Sequence, residues 1–301
     1  MARTRANGIE IEYETFGRKG DPAVLLIMGY AAQMTMWPVP FCQGLASRGF
    51  RVIRFDNRDV GLSSHLSHLG VPNVAEAMIK GLAGQRVNAP YSLEDMAADS
   101  VGLLGALEIP SAHIVGASMG GMIAQLIAIG YPERTRSLVS IMSTTGRRDL
   151  PTGRPEVMAV LTMPPASGSR EDRMAQGRAI WDAIGSPAYR PTEAELQDVL
   201  TREVDHAPYD PEAPARQLVA MLASQPRGEA LRHVKVPALV IHGADDPLLP
   251  ADCGSDTAAA IPGSELIVIP GMGHDLAGGL VPVLIEHIGN FLARVERREI
   301  G

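Results

Sequence analysis

Three side chains in this chain have the types needed to make an activated nucleophile: Ser118, Asp246 and His274. A serine hydroxyl reacts at neutral pH only when a base within hydrogen-bond reach takes its proton and a third group orients that base. Ser118 lies in Gly116-Ala-Ser-Met-Gly120, between the apolar run 112–115 and the apolar stretch 121–128, so it sits where a strand turns directly into a helix. Such a turn bends the chain sharply, and Gly116, Gly120 and Gly121 are small enough to let the backbones pass. The geometry predicts a Ser118 hydroxyl lifted clear of the sheet and a Met119 amide, at the helix start, free to donate to an oxyanion. Many serines in glycine-rich turns do no chemistry, so the reading rests on the flanking strand and helix.

Eight histidines are available as the base. His113 and His242 fall inside apolar strands, where core or strand-end roles are expected; His287 sits in the last helix, and His65, His68, His206 and His233 lie in polar surroundings. His274 follows Pro270-Gly-Met-Gly273, a glycine-rich loop directly after the apolar run 265–269. In an open parallel sheet, the carboxyl ends of the strands are where ligand and catalytic groups gather. The orienting acid is expected on a neighbouring strand's loop, and the segment after 238–242 supplies Asp245 and Asp246. Asp246 is preferred because Pro247 sets the turn directly after it, with Asp245 the alternative and an Asx turn the non-catalytic reading of both. A second oxyanion donor is expected from the backbone amide of Tyr30, after Gly29 at the end of the run 23–28; a plain strand-end turn is the other reading.

The elements that must position these residues follow from periodicity. Residues 8–16 alternate apolar and polar, as a half-exposed edge strand does, and 23–28 and 51–55 are short apolar strands separated by a helix over 40–47. Ser92 followed by acidic residues opens a helix running through Leu107. A strand over 137–142 is followed by a change of texture: from 145 to 228 there are prolines, charges and helical segments near 170–184, 192–204 and 214–223, with no strand runs. Strand, helix, strand and a last amphipathic helix then occupy 238–242, 251–260, 265–269 and 280–297. The whole reads as an α/β, doubly wound, mostly parallel sheet, with residues 1–144 and 229–301 forming the core and 145–228 an inserted helical cap.

At 301 residues and 46% hydrophobic content the chain can bury a large core, and its formal net charge of -7 argues against a nucleic-acid partner. Cys42 and Cys253 lack the spacing of a metal site or disulfide framework and read as free thiols. No signal peptide or membrane-spanning run is visible, so a cytoplasmic location and no membrane partner are expected. The 14 methionines are mostly core filler, although Met34, Met36 and Trp37, close to the Tyr30 loop, are candidates for an apolar substrate pocket; core packing explains them equally.

With Gly116-Ala-Ser-Met-Gly120 at an elbow, Ile241-His-Gly-Ala-Asp-Asp-Pro247 at an acid loop and Pro270-Gly-Met-Gly-His274 at a histidine loop, the chain resembles the α/β-hydrolases over nearly its whole length. The order Ser118, Asp246, His274 is that of the family. Phe55-Asp-Asn-Arg-Asp-Val-Gly-Leu-Ser63 resembles the family's loop after an early core strand, where Asp56, Arg58 and Ser63 read as structural. Leu26-Ile-Met-Gly-Tyr30, with Met28 where His is usual, and the stretch 54–61 are similar to the aclacinomycin methylesterase group, whose members remove a methyl ester from a polyketide. The resemblance implies a serine hydrolase that cleaves a small carboxylic ester with an apolar portion, through an acyl-enzyme, with no cofactor and no metal. Thioester, amide or carbon-carbon hydrolysis, peracid formation, and a non-catalytic binding role on the same scaffold stay open. Ser118 at the elbow argues against dehalogenases and epoxide hydrolases, which carry Asp there.

Overall fold

The computed structural model describes residues 1–164, 166–276 and 278–300, the side chains of 298–300 excepted. Among these residues, β1 (Ala2–Ala6), β2 (Ile9–Phe16), β3 (Ala23–Ile27), β4 (Arg51–Phe55), β5 (Ala112–Ala117), β6 (Thr135–Ile141), β7 (Ala238–Gly243) and β8 (Glu265–Ile269) form one sheet. Its spatial order is β1-β2-β4-β3-β5-β6-β7-β8, antiparallel at β1 and β2 and parallel from β4 to β8. The chain leaves β3 for β4 on one side and returns to β5 on the other. The strand order therefore reverses at β3 and β5, and the crevice beyond their carboxyl ends is where such sheets bind ligands.

The helices are α1 (Val39–Ala46), α2 (Val74–Leu82), α3 (Leu93–Ala106), α4 (Met119–Gly130), α5 (Pro155–Thr162), α6 (Arg170–Ile184), α7 (Glu193–His206), α8 (Ala213–Ala223), α9 (Gly228–Leu231), α10 (Ala251–Ala260) and α11 (Val281–Ile300). Every residue of β3, β5 and β7 is buried, which requires cover on both faces of the sheet. The period-two alternation divides that burial. Leu25, Ile27, Ile53 and Ile114 pack with Leu93, Met96 and Leu103 of α3 and Ile123 and Ile127 of α4. Val24, Leu26, Val52 and Val139 pack on the other face with Phe41 and Leu45 of α1 and Leu284, Ile288 and Leu292 of α11. Each such buried aliphatic side chain contributes about 1.5–3 kcal/mol, so the strand ends beneath the loops are held firmly. Ser92 with Asp95, and Thr192 with Glu195, close capping boxes that start α3 and α7.

One expectation is corrected. Residues 8–16 do not form the sheet edge: β1 lies outside β2, pairing Ala2 with Tyr13 and Ala6 with Ile9. The polar sequence of β1 hides it from hydrophobic patterning, because an edge strand with mostly exposed side chains is held by backbone hydrogen bonds. Its signal was Asn7-Gly8, whose φ angles of 48° and 84° suit the two-residue turn that joins the strands. Among the described residues, no helix is long and apolar enough to cross a membrane.

Among the described residues between β6 and α9, the chain builds α5 to α8 and no strand. This stretch is closed at its base, where Arg227 N–H donates to Thr145 O at 2.8 Å and Arg227 Nη2 to Thr144 O at 2.8 Å. It is riveted to the sheet by Arg216 of α8, whose Nε and Nη2 grip Asp59 at 2.9 and 2.8 Å with neither side chain accessible to solvent. Removing one partner of a buried pair leaves the other charge uncompensated. Arg216→Met is therefore expected to cost about 3–5 kcal/mol in urea or thermal unfolding. Adding Asp59→Asn, which removes the orphaned charge, is expected to recover part of that loss; a double variant no more stable than Arg216→Met contradicts the account.

Candidate active site

β5 ends at Ala117 and α4 begins at Met119, so Ser118 alone makes the turn between them. It does so at φ 57° and ψ -122°, a region that costs a non-glycine residue on the order of 1–3 kcal/mol. Neighbouring groups hold it there: Ser118 N–H donates to Ile141 O (2.9 Å), while Ser118 O accepts from Gly121 N (2.9 Å) and Ser143 Oγ (2.8 Å). The helix passes so close to the sheet that a Cβ on Gly120 would lie 2.1 Å from Ile27 O, and one on Gly116 would lie 2.0 Å from Gly120 O. These two glycines are required by close approach, as the motif predicts.

The hydroxyl projected by this turn meets His274, with Ser118 Oγ 2.9 Å from Nε2. His274 Nδ1 lies 2.7 Å from Asp246 Oδ2. A carboxylate can only accept, so the network assigns the proton to Nδ1 and leaves Nε2 as the acceptor of the serine proton. The other Asp246 oxygen accepts from the amides of Leu248 and Leu249, at 2.9 and 2.8 Å, which fixes the carboxylate plane. Burial opposes ionisation of Asp246, yet His274, His242 and the Leu249 amide outweigh it and hold the carboxyl well below the ordinary carboxylate range. Asp245 points elsewhere: its Oδ2 accepts from Gly271 N at 2.8 Å, tying the acid loop to the histidine loop. Ser118, Asp246 and His274 are thus brought together from the ends of β5, β7 and β8.

Met119 N–H is the first amide of α4, where no intrahelical acceptor exists. The loop after β3 approaches the same point, since a Cβ on Gly29 would lie 3.0 Å from Ser118 Cβ. Among the described residues no hydrogen bond takes up the amide of Met119 or of Tyr30. Two uncommitted donors therefore flank the serine.

The pocket expectation narrows. Met34 and Trp37 have no accessible surface, and Trp37 stacks on Phe41 with ring centroids 5.4 Å apart in the core, so only Met36 of the three retains surface for a ligand. Of the remaining histidines, His113 bonds Ser137 Oγ and Glu296 Oε1 at 2.8 and 2.9 Å, and His242 Nε2 bonds Leu249 O at 2.8 Å. His206, expected in polar surroundings, ends α7 with its side chain buried and its Nε2 2.8 Å from Asp56 Oδ2. Asp56 Oδ1 in turn accepts from Met34 N at 2.7 Å, and buried Gln217 of α8 accepts from Ala31 N at 2.8 Å. Asp56 belongs to the 55–63 motif, but no local pattern marks His206 or Gln217, because their partners are about 150 to 190 positions away in the chain. Asp59, His65 and Asp210 bring ligand-type atoms within 4.8 Å of one another. Arg216 already neutralises Asp59, and Asp210 is occupied by His65 and the amides of Glu212 and Ala213, so this group is a filled hydrogen-bond cluster.

A profile of the alpha/beta hydrolase fold matches residues 22–277. Rhodomycin D methylesterase DauP of Streptomyces sp. (strain C5) is 28% identical over 287 residues, covering 87% of this chain and 88% of the relative. The enol-lactonase from Burkholderia xenovorans LB400 superposes with a TM-score of 0.73 at 22% identity, over 97% of this chain and 100% of the other. The meta-cleavage product hydrolase from Pseudomonas fluorescens IP01 gives 0.74 at 21% identity over 98% of both, and both structures support the fold. The profile match spans β3 to β8, the elbow and the acid and histidine loops, and the chain belongs to the α/β-hydrolase fold family.

Proposed function

We propose that the chain hydrolyses carboxylic esters through a covalent acyl-enzyme, with Ser118 as nucleophile, His274 as base and then acid, and Asp246 orienting and stabilising the imidazolium. The observation that carries this reading is the unbroken relay from Ser118 Oγ to His274 Nε2 (2.9 Å) and from His274 Nδ1 to Asp246 (2.7 Å), beside two uncommitted amides. Ser118 Oγ attacks the ester carbonyl carbon as its proton passes to Nε2. The resulting oxyanion accepts from the amides of Tyr30 and Met119, donors that exist before the reaction and need no reorganisation. Collapse breaks the bond to the alcohol, which leaves with the proton from His274. Water then attacks the acyl-enzyme with His274 again as base, releasing the acid and restoring the serine. No cofactor enters the scheme.

The substrate is proposed to be a small ester with an apolar portion, consistent with Met36 at the loop after β3, and residues 145–228 are proposed to act as a cap over it. A methylesterase among the similar proteins supports testing methyl esters of polycyclic aromatics beside simple acyl and alkyl ester series.

Replacing Ser118 by Ala is expected to lower kcat by about 10⁴- to 10⁶-fold on whichever ester is turned over, and to abolish labelling by a fluorophosphonate at that residue. Mass spectrometry of the labelled protein reads the second result; folded wild-type protein that takes no label overturns the reading and favours a binding role.

The depressed carboxyl of Asp246 also sets a pH dependence of stability. As pH falls, the unfolded chain takes up this proton first, near its ordinary value of about 4, while the folded chain does not. The contribution is complete above that value and is lost on descending toward the folded one. The stability difference between wild type and Asp246→Asn is thus expected to be level above about pH 5 and to shrink below about pH 4 in denaturant titrations. A difference that stays level into acid contradicts it.

A further inference from the structure

The amide proposed to serve the oxyanion at Tyr30 belongs to a loop that does not hold its own shape. Ala31, the next residue, sits at φ 53°, a left-handed conformation costing a side-chain-bearing residue about 1–2 kcal/mol. Among the described residues, the bond that closes the turn within the loop is Ala32 N–H to Gly29 O, long at 3.4 Å. The stronger restraint comes from far along the chain: Gln217 Oε1 accepts from Ala31 N–H at 2.8 Å.

Gln217 is itself immobilised. Its Nε2 donates to Arg58 O at 2.8 Å, which settles the orientation of the amide and makes Oε1 the acceptor for Ala31. Arg58 is fixed by Asp99 through bonds of 2.6 and 2.8 Å. The preceding residue, Arg216, grips Asp59, so two consecutive residues of α8 are bound to the loop after β4. Gln217 has no accessible surface. Fixing the direction of Ala31 N–H fixes the peptide plane that follows Tyr30, leaving Tyr30 N–H uncommitted beside Ser118.

We infer that Gln217 is a positioning residue for the oxyanion donor at Tyr30, so the inserted helices complete the catalytic site as well as covering it. The inference rests on the ester-hydrolase reading above and adds a residue that touches neither substrate nor triad. A cap exchanged with that of another hydrolase preserves turnover, on this account, only when it presents a side-chain oxygen acceptor to Ala31 N–H.

The test compares Gln217→Met, nearly isosteric but unable to accept, with Gln217→Glu, which keeps the acceptor opposite Ala31 and, protonated in this buried position, a donor for Arg58 O. The readouts are steady-state turnover of a small generic ester, inhibition by a trifluoromethyl ketone that forms a tetrahedral adduct, fluorophosphonate labelling of Ser118, and the thermal midpoint. Gln217→Met is expected to lower kcat about 10- to 100-fold with KM within about threefold, and to weaken the trifluoromethyl ketone by the same factor. Gln217→Glu is expected to recover at least about a third of the lost activity. Retained kcat in Gln217→Met with only a lower melting temperature overturns the inference, as does equal loss in both variants or a change confined to KM. Should Gln217→Met fail to fold, Gln217→Glu with wild-type KM and ketone affinity supports the inference, and Gln217→Glu with tenfold weaker ketone binding overturns it. Wild-type protein that takes no fluorophosphonate overturns the ester-hydrolase reading and this inference together; labelled wild type with an unaffected Gln217→Met overturns this inference alone.

Discussion

The structure depends on one constraint: a strand in the middle of the sheet must become a helix within a single residue. Ser118 meets it at φ 57°, a conformation unfavourable on its own and held by backbone and Ser143 hydrogen bonds. The turn also dictates what surrounds it. α4 presses against the end of β3 closely enough that Gly120 has no room for a side chain, so the loop after β3 lies beside the serine. The strand order reverses at β3 and β5, and the same approach that strains Ser118 brings Gly29, the residue before Tyr30, against its Cβ.

The charges are arranged around the same point. Asp246 is removed from solvent, which by itself disfavours a carboxylate, and it stays ionised because His274, His242 and the Leu249 amide supply more stabilisation than burial removes. The Asp246 carboxylate holds the His274 proton on Nδ1, which leaves Nε2 to accept the hydrogen bond from Ser118 Oγ. Asp245 accepts from Gly271 N while Asp246 accepts from His274 Nδ1, so adjacent acids each bind a different part of the histidine loop.

The helices between β6 and α9 are bound into this machinery at several places. Arg216 and Gln217 reach the loops after β4 and β3, and His206 bonds Asp56, which in turn holds Met34 N. The histidine loop is tied in as well: His274 N–H donates to Ile184 O and Gly273 N–H to Ser186 Oγ, both at 2.8 Å, just where α6 ends. These bonds tie the helices between β6 and α9 to the loops that flank Ser118, through the carboxylates of Asp56 and Asp59 and through the backbone of Ala31, Gly273 and His274.

The sequence by itself determined the parallel sheet, most helix boundaries, the turn at Ser118 and the placement of Asp246 and His274 on neighbouring strand-end loops. These features have local causes: apolar periodicity, capping residues, and small residues where backbones must pass. Hydrophobic patterning missed β1, which has no apolar face, although Asn7-Gly8 carried its turn signal. Tertiary structure alone decided that Met34 and Trp37 are core residues, because burial depends on what packs against them. It also decided that Gln217, His206 and Asp56 hold the loop after β3, since a hydrogen bond between residues 31 and 217 leaves no periodic trace and exists only once the insertion has folded back onto the sheet.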